Sequence, residues 1–283
     1  MIWPRISIVT PSYNQVGFIE RTIQSVLDQD YPNLEYIIID GGSTDGAVDV
    51  IRRYEKHLAY WVSEKDNGAA DAIGKGFSKA TGEIFAYLNS DDLYVPGALR
   101  AVAETMQDPT VEVAYGNTYW IDQRGELIAE QRQTPFMSMG YLYGGSTLQQ
   151  QSTFWRSDLY RKCGGMDASF GFAFDTDLFF RFIACGARFR FVNKFLASFR
   201  IHPASKSSND EIICRRDLQR LRNQHLPFPY DSFRATCVRT LSRFQRTLWY
   251  AWQGDLLWLL RRIPVRIRAR NAPGMVGPHG RRV

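Results

Sequence analysis

The chain has 283 residues, of which 45% are hydrophobic and 23% are charged. This composition excludes a low-complexity chain and is typical of a soluble globular protein with a sizeable core. No apolar run of about 18 residues is present, and no basic segment followed by an apolar one opens the sequence. We therefore expect neither a membrane-spanning helix nor a secretory signal, and we expect a cytoplasmic protein.

The formal net charge of +6 comes from one end of the sequence. Seven arginines and no acidic residue lie between Arg261 and Val283, and without them 28 basic residues face 29 acidic ones. The positive charge is therefore a property of the C-terminal tail. The four cysteines are widely spaced and form no C-x-x-C pair, so neither a zinc site nor a redox motif is expected.

The first part of the chain alternates short apolar strands with amphipathic helices. Strands are predicted at residues 6–10, 34–40, 60–63, 83–88 and 111–115. Helices are predicted over 19–27, after a cap at Ser43 or Thr44, over 68–80, and around 99–106. The second helix would bury Val48, Ile51 and Tyr54. This alternation predicts an α/β fold with a mainly parallel sheet.

The later part of the chain is less regular. A hairpin turn is predicted at 122–125 and a helix at 177–185, and beyond about residue 210 the sequence becomes an arginine-rich amphipathic helix. We predict one domain over 1–209, in two halves at about 1–115 and about 116–209. A helical extension would follow over 210–260, and then an arginine-rich tail over 261–283.

Polar side chains follow several of the predicted strands at their carboxyl ends: Ser12, Asn14, Asp40, Asp91 and Asp92. In parallel sheets this edge is where ligands bind. The adjacent acids Asp91 and Asp92 repel each other, and Mn²⁺ or Mg²⁺ bridging diphosphate oxygens would neutralise them. The alternative is a solvated turn that caps the next helix.

Eight short blocks of sequence resemble glycosyltransferase family 2. In the first half they are 10–14 (TPSYN), 39–46 (IDGGSTDG), 80–83 (ATGE) and 88–92 (LNSDD); in the second half they are 151–156 (QSTFWR), 164–167 (GGMD), 175–178 (DTDL) and 199–203 (FRIHP). The resemblance covers about residues 4–208. It implies a GT-A glycosyltransferase domain over 1–209, with a nucleotide-sugar half at about 1–115 and an acceptor half at about 116–209. It also implies a nucleotide-sugar donor and inverting transfer assisted by Mn²⁺ or Mg²⁺.

The resemblance also implies roles for individual residues. The donor-binding set is Pro11, Ser12, Tyr13, Asn14, Asp40, Glu64, Asp66, Asp71, Asn89 and Asp91. Within it, Pro11 and Tyr13 would line the base pocket with the Tyr13 ring stacking on the base, and Asp40 would accept a hydrogen bond from the base, which favours uracil. Glu64, Asp66 and Asp71 would lie on the ribose or diphosphate side. The metal set is Asp91, Asp92 and His202, with Asp92 as the direct ligand and Asp91 shared with the ribose.

Inverting transfer needs a carboxylate that takes the proton of the acceptor hydroxyl. The resemblance gives this role to Asp175, with Asp177 ranked second; the alternative for Asp175 is a charge at a helix N-terminus. Phe174 stands where many family members have Glu, and Gly41 also replaces an acid. Ile73 replaces an arginine, so the metal, Lys75 or Lys79 would neutralise the phosphates.

The expected partners are a nucleotide-sugar donor, with UDP-sugars favoured, and a saccharide or lipid-linked saccharide acceptor of the cell surface. No nucleic acid is expected, because no recognised binding module is present. The arginine-rich C-terminal extension with its tryptophans predicts a peripheral contact with the inner face of the plasma membrane, and a solvated tail is the alternative.

Two other functions compete with glycosyl transfer. A sugar-nucleotide nucleotidyltransferase would have a glycine-rich basic loop after the first strand, where this chain has residues 11–14 (PSYN). An inactive sugar- or nucleotide-binding relative would fit the missing Glu at Phe174, but Asp175 and the Asp91–Asp92 pair are present.

Overall fold

A computed structural model describes residues 3–203 and 211–255 of the chain. The predicted tail at 261–283 and the end of the predicted helical extension at 256–260 lie outside the described residues.

Nine strands in the described residues form one sheet. They are β1 Ile6–Ser12, β2 Leu34–Asp40, β3 Tyr60–Ser63, β4 Ile84–Tyr87, β5 Leu93–Tyr94, β6 Val113–Ile121, β7 Leu127–Gln131, β8 Thr153–Arg156 and β9 Phe189–Arg200. The helices are α1 Ile19–Leu27, α2 Ala47–Arg53, α3 Ala69–Lys79, α4 Ala98–Thr105, α5 Ser138–Leu142, α6 Ser157–Lys162, α7 Phe174–Ala184, α8 Glu211–His225 and α9 Phe233–Trp252.

The first half of the sheet is parallel, in the order β3-β2-β1-β4. Strands β1, β2 and β4 are short runs that are buried on both faces, as βαβ units require, whereas β3 at the edge of the sheet is only partly buried. Side chains alternate between two cores: Val9 and Ile39 pack in one, and Ile8 and Ile38 in the other. The α/β class is confirmed, and the parallel arrangement holds for this half.

The second half of the sheet is mixed. Strand β8 runs antiparallel to β4 and β6, and β9 runs parallel to β6. The two-residue strand β5 pairs antiparallel with Ser198 and Ala197 of β9. This pairing brings the residues just before β5 next to the end of β9, more than a hundred positions later in the chain.

Two predicted helix starts were wrong. Helix α2 begins after Gly46, whose φ of 100° is left-handed, and not after Ser43 or Thr44. Its buried residues are Ala47, Val50 and Ile51. Helix α7 begins at Phe174, three residues before the predicted start, so that Asp175 lies in its first turn. The hairpin turn predicted at 122–125 connects β6 and β7, with Asp122 N donating to Glu126 O at 2.9 Å.

Helices α8 and α9 belong to the predicted extension, and both pack on the acceptor half. The buried residues Cys214, Leu218 and Leu221 of α8 share the core with the apolar side of α7. Within residues 3–203 and 211–255, no helix is long and apolar enough to cross a membrane.

Candidate functional site

The loops that follow β1 and β2 are tied together at the carboxyl edge of the sheet. Asn14, with a φ of 51°, donates its N–H to Ser43 Oγ at 2.8 Å and accepts the N–H of Thr44 at 2.9 Å. Pro11 and Ser12 are the buried last residues of β1, whereas the Tyr13 ring is 62% exposed. Of Pro11 and Tyr13, the residues predicted to line the base pocket, Tyr13 is therefore the one whose side chain is open to a ligand.

Asp40 is completely buried and its carboxylate is saturated by internal donors. Oδ2 accepts from Gly42 N, Ser43 N and Ser63 Oγ at 3.1, 2.8 and 2.7 Å, and Oδ1 accepts from Ser43 Oγ at 2.5 Å. A carboxylate with four donors has little capacity left for a base. Asp40, the last residue of β2, thus shapes the β2–α2 turn through these hydrogen bonds.

Asp66 occupies the space beside Gly41. A Cβ built on Gly41 would lie 2.6 Å from Asp66 Oδ2, while Oδ1 of Asp66 accepts the N–H of Gly68 at 2.8 Å. Position 41 is where many family members carry an acid. A carboxylate from the loop after β3 therefore fills the place that the glycine leaves open.

Glu64 and Asp71 flank a single lysine. Lys75 Nζ lies 3.4 Å from Glu64 Oε1 and 3.4 Å from Asp71 Oδ2, and the latter also accepts the N–H of Asn67 at 2.9 Å. That N–H, together with the charge of Lys75, lowers the pKa of Asp71. Lys75 is therefore already paired, and Lys79 Nζ lies 5.4 Å from the Tyr60 ring centroid.

The predicted metal residues are brought together by the pairing of β5 with β9. His202 Nε2 lies 3.0 Å from Asp91 Oδ2, and Arg200 N donates to Asp92 Oδ1 at 2.8 Å. Thr22 of α1 holds the intervening turn by donating to the carbonyl oxygens of Ser90 and Asp92. Asn89 faces the same turn, with Nδ2 3.4 Å from Asp92 Oδ2.

The two adjacent carboxylates have different environments. Asp92 is fully buried, and its pKa is raised well above the usual value, first by burial and then by the charge of Asp91. The Asp91 side chain is 17% exposed and contacts the nearly buried His202. Asp91 is therefore the carboxylate that an external ion can reach, whereas Asp92 faces the interior.

A divalent cation fits this pair chemically, although the protein alone does not complete its coordination. Carboxylate and imidazole groups are suitable ligands for Mn²⁺, and a cation would relieve the repulsion between the adjacent carboxylates Asp91 and Asp92. In residues 3–203 and 211–255, no three His, Cys, Asp or Glu side chains converge on one point. Further ligands would have to come from a donor diphosphate or water.

Asp175 lies close to the same site. The ring centroid of Phe174, the residue before Asp175, lies 6.2 Å from that of Tyr87, which ends β4. The pKa of the buried Tyr87 phenol is raised well above its usual value, first by burial and then by the charges of Asp175 and Asp92. Asp175 accepts the N–H of Thr176 at 2.6 Å. Burial raises the pKa of Asp175 as well, which makes its carboxylate a stronger base.

Asp177, the second candidate base, is engaged elsewhere. It is 3% exposed, and its Oδ2 lies 2.6 Å from Arg181 Nη2 and 2.8 Å from Arg181 Nε. Its Oδ1 lies 3.4 Å from Nε2 of His225, at the end of α8. Asp177 thus anchors α7 to α8 and is unsuited to meet an acceptor.

The sequence analysis missed two buried charged residues that build the site. Arg200 is fully buried, and its Nε donates to the carbonyl oxygen of Asp91 at 2.8 Å. Asp217 of α8 is 1% exposed, and its Oδ2 accepts the N–H of Phe172 at 2.7 Å, just before α7. The sequence signal for Asp217 was a charged residue at an apolar position of a helical pattern, which indicates a buried and paired side chain.

A cleft of about 720 Å³ borders the metal residues but contains none of the predicted ligands. It is lined by Gly17, Phe18, Arg21, Asp122, Gln123, Arg124 and Ile201. The Phe18 ring centroid lies 4.6 Å from that of His202, so the cleft reaches the side of the imidazole.

The family model described as Glycosyl transferase family 2 matches residues 7–169, more than half of the chain. The chain belongs to glycosyl transferase family 2. It is therefore a glycosyltransferase.

An uncharacterised glycosyltransferase of Mycobacterium tuberculosis is 33% identical over 182 residues, which cover 63% of this chain and 68% of the relative. TuaG of Bacillus subtilis, whose name assigns it provisionally to teichuronic acid biosynthesis, is 42% identical over 110 residues, 37% of this chain and 43% of TuaG.

Solved structures share the fold at low sequence identity. The mannosyltransferase PcManGT of Pyrobaculum calidifontis, in complex with GDP-Man and Mn²⁺, has a TM-score of 0.63 and 20% identity, covering 97% of this chain and 77% of that one. TarS 1–349 of S. aureus, in complex with UDP-GlcNAc, has a TM-score of 0.58 and 16% identity, covering 94% and 80%. The likeness confirms the GT-A fold expected from the family 2 sequence blocks.

Proposed function

We propose that this family 2 enzyme transfers a sugar from a nucleoside-diphosphate sugar to a saccharide or lipid-linked saccharide, with Mn²⁺ or Mg²⁺ and with inversion. One observation carries the proposal: the ring of Phe174, directly before Asp175 in α7, lies 6.2 Å from the ring of Tyr87, which ends β4 four residues before the acidic pair Asp91–Asp92. A cation-binding carboxylate and a base of raised pKa therefore share one site, as metal-assisted displacement requires.

The base is Asp175. Its carboxylate takes the proton of the acceptor hydroxyl while that oxygen attacks the anomeric carbon, and the bond from this carbon to the diphosphate breaks on the opposite face. The raised pKa of Asp175 suits proton abstraction, and Asp177 cannot replace it because Arg181 and His225 hold its carboxylate. The nucleoside diphosphate leaves with the electron pair of the broken bond.

The donor diphosphate would lie beside Asp91 and His202, which would hold the cation; when bound, the cation neutralises the leaving diphosphate. We assign direct ligation to Asp91 and a buried supporting role to Asp92, the reverse of the ranking that the resemblance implied. The reason is exposure, because Asp92 is 0% exposed and already accepts the N–H of Arg200.

On the base and ribose side, Tyr13 supplies an exposed ring and Asp66 a carboxylate in place of an acid at position 41. The donor panel therefore includes UDP-sugars, which the sequence resemblance favours and TarS binds, and GDP-sugars, which PcManGT binds. The name of TuaG supports an acceptor from a cell-surface polysaccharide.

The test is a panel of UDP-, GDP- and dTDP-sugars with the purified chain and Mn²⁺, in which nucleoside diphosphate release and calorimetric binding are both measured. We expect one donor to bind and be slowly hydrolysed, and EDTA to abolish both. Asp91→Asn should lose metal-dependent binding, and Asp175→Asn should bind the donor without turning it over. Asp158→Asn, which changes a carboxylate that is 96% exposed on α6, is the matched control.

Two outcomes would replace the proposal. Exchange of diphosphate with a nucleoside triphosphate would identify a nucleotidyltransferase. Failure to bind any nucleoside diphosphate, with or without metal, would identify an inactive relative.

A further inference from the structure

Helix α9 carries a continuous apolar stripe on its solvent-facing side. Leu241, Phe244, Leu248 and Trp252 are 58%, 58%, 52% and 75% exposed, and their spacing of three, four and four residues aligns them on one face. Phe233, at the start of the helix, is 83% exposed. Contiguous exposed apolar surface of this kind marks an interaction site.

The opposite side of α9 already holds the helix on the protein. Ser242 is buried against α5 and the loop after it, where a Cβ built on Gly140 or Gly145 would lie 2.7 or 2.6 Å from the serine side chain. Tyr250 OH donates to the carbonyl oxygen of Arg132 at 2.7 Å. The exposed stripe is thus not required to attach α9 to the acceptor half.

The charges on the helix identify the kind of partner. The helix contains four arginines and no acidic residue; Arg234 is exposed seven residues before Leu241, on the same face as the stripe, and Arg243 is exposed as well. The sequence from Arg261 to Val283 adds seven more arginines without an acid. Pairing with a second copy of α9 would bring arginines together with no acid on the helix to compensate them, whereas an anionic surface attracts them.

We propose that α9 lies along an anionic lipid bilayer, with the stripe in the interfacial layer and the arginines at the headgroups. A 20-residue helix presents a straight edge of about 30 Å, and tryptophan and arginine favour the interfacial region. Membrane binding by this surface does not depend on the donor or the acceptor, so it can be tested separately from the proposed transfer reaction.

Flotation of the full chain with vesicles tests the proposal. We expect the protein to float with phosphatidylglycerol-containing vesicles and to remain unbound with pure phosphatidylcholine. Phe244→Glu/Leu248→Glu should reduce the bound fraction at least tenfold. The matched control is Leu127→Glu/Ile128→Glu, which makes the same change at exposed apolar residues of β7 and should bind like the wild type.

Circular dichroism and light scattering accompany the flotation, to show that both double variants are folded and how many chains associate. Equal flotation of the α9 variant and the wild type would overturn the proposal. So would a dimer that the α9 substitutions dissociate while no vesicle binding is seen, since the stripe would then be a contact between two copies.

Discussion

Asp217 and Phe172 are joined by a hydrogen bond that spans 45 positions of the chain: Oδ2 of Asp217 accepts the N–H of Phe172 at 2.7 Å, and that of Ala173 at 3.4 Å. The N–H groups before the first turn of a helix have no partner within the helix. A carboxylate from α8 thus fixes the start of α7, the turn that carries Asp175.

We expect Asp217→Ala to lower the free energy of unfolding by about 2 kcal/mol, because it leaves a buried N–H unsatisfied. It should also lower kcat about tenfold with an unchanged donor KM, because the base is displaced. Asp217→Asn, which keeps an acceptor oxygen, should recover most of kcat, and Asp231→Ala in the loop before α9 is the control. A loss of stability with normal kcat would show that Asp217 is structural only.

The assignment of the base predicts different results for two aspartates of α7. Asp175→Asn should lower transfer by a factor of about 10³ while donor binding is kept, as for loss of a general base. Asp177→Asn should keep measurable transfer but lower the free energy of unfolding by about 3 kcal/mol, since the Arg181 guanidinium loses its partner. Reversal of these two patterns in kinetics and urea unfolding would move the base to Asp177.

The raised pKa of Asp175 predicts the pH dependence of transfer. The base works only when it is ionised, so kcat/KM should fall as the pH drops through this pKa, and the fall should begin at a higher pH than for an ordinary aspartate. A pH–rate profile measures this. If the residual activity of Asp175→Asn shows the same acid limb in its pH–rate profile, another ionisable group causes that limb.

The same shift has a consequence for stability. A carboxyl whose pKa is raised by folding binds its proton more tightly in the folded state, so its ionised form opposes folding above that pKa. We expect Asp175→Asn to melt at a higher temperature than the wild type at neutral pH. The difference should vanish on acidification below the pKa of an unfolded aspartate. Thermal melts at several pH values with Asp158→Asn as control would detect it.

Asp40 provides a test of its role in the turn. Asp40→Asn places an amide NH₂ among four donors, so we expect it to lower the free energy of unfolding by about 2 kcal/mol. The ratio of affinities for UDP and GDP should stay unchanged. Calorimetric titration with the two nucleotides measures this ratio, and a selective loss of UDP binding would return Asp40 to the base pocket.

The sequence predicted the parts of the fold that depend on local pattern. Strands β2 and β3 have the predicted bounds, because the turn residues on both sides of a short apolar run mark where the strand begins and ends. The start of α2 was wrong because Ser43, a good cap by type, donates to Asp40 instead. The start of α7 was wrong because the N–H of Phe172, just before the helix, donates to Asp217 of α8. No local sequence pattern shows this long-range contact.

The candidate site was predictable as a set of residues but not as an arrangement. Spacing alone does not place His202 beside Asp91, since β5 has two residues and its pairing with β9 is not visible in the sequence. The ranking of Asp91 and Asp92 as metal ligands depends on which of the two side chains points into the interior. The backbone N–H of Arg200 fixes this, because it donates to Asp92. The contacts of Asp177 with Arg181 and His225 are likewise not visible in the sequence.

The contact between Gly41 and Asp66 constrains how this family can vary. A side chain at 41 and the carboxylate at 66 claim the same volume, because the Cβ would stand 2.6 Å from Oδ2. Either the end of β2 or the loop after β3 can supply an acid there, but not both at once. Across related sequences the two positions should therefore change in concert, with small residues at 41 wherever an aspartate occupies 66.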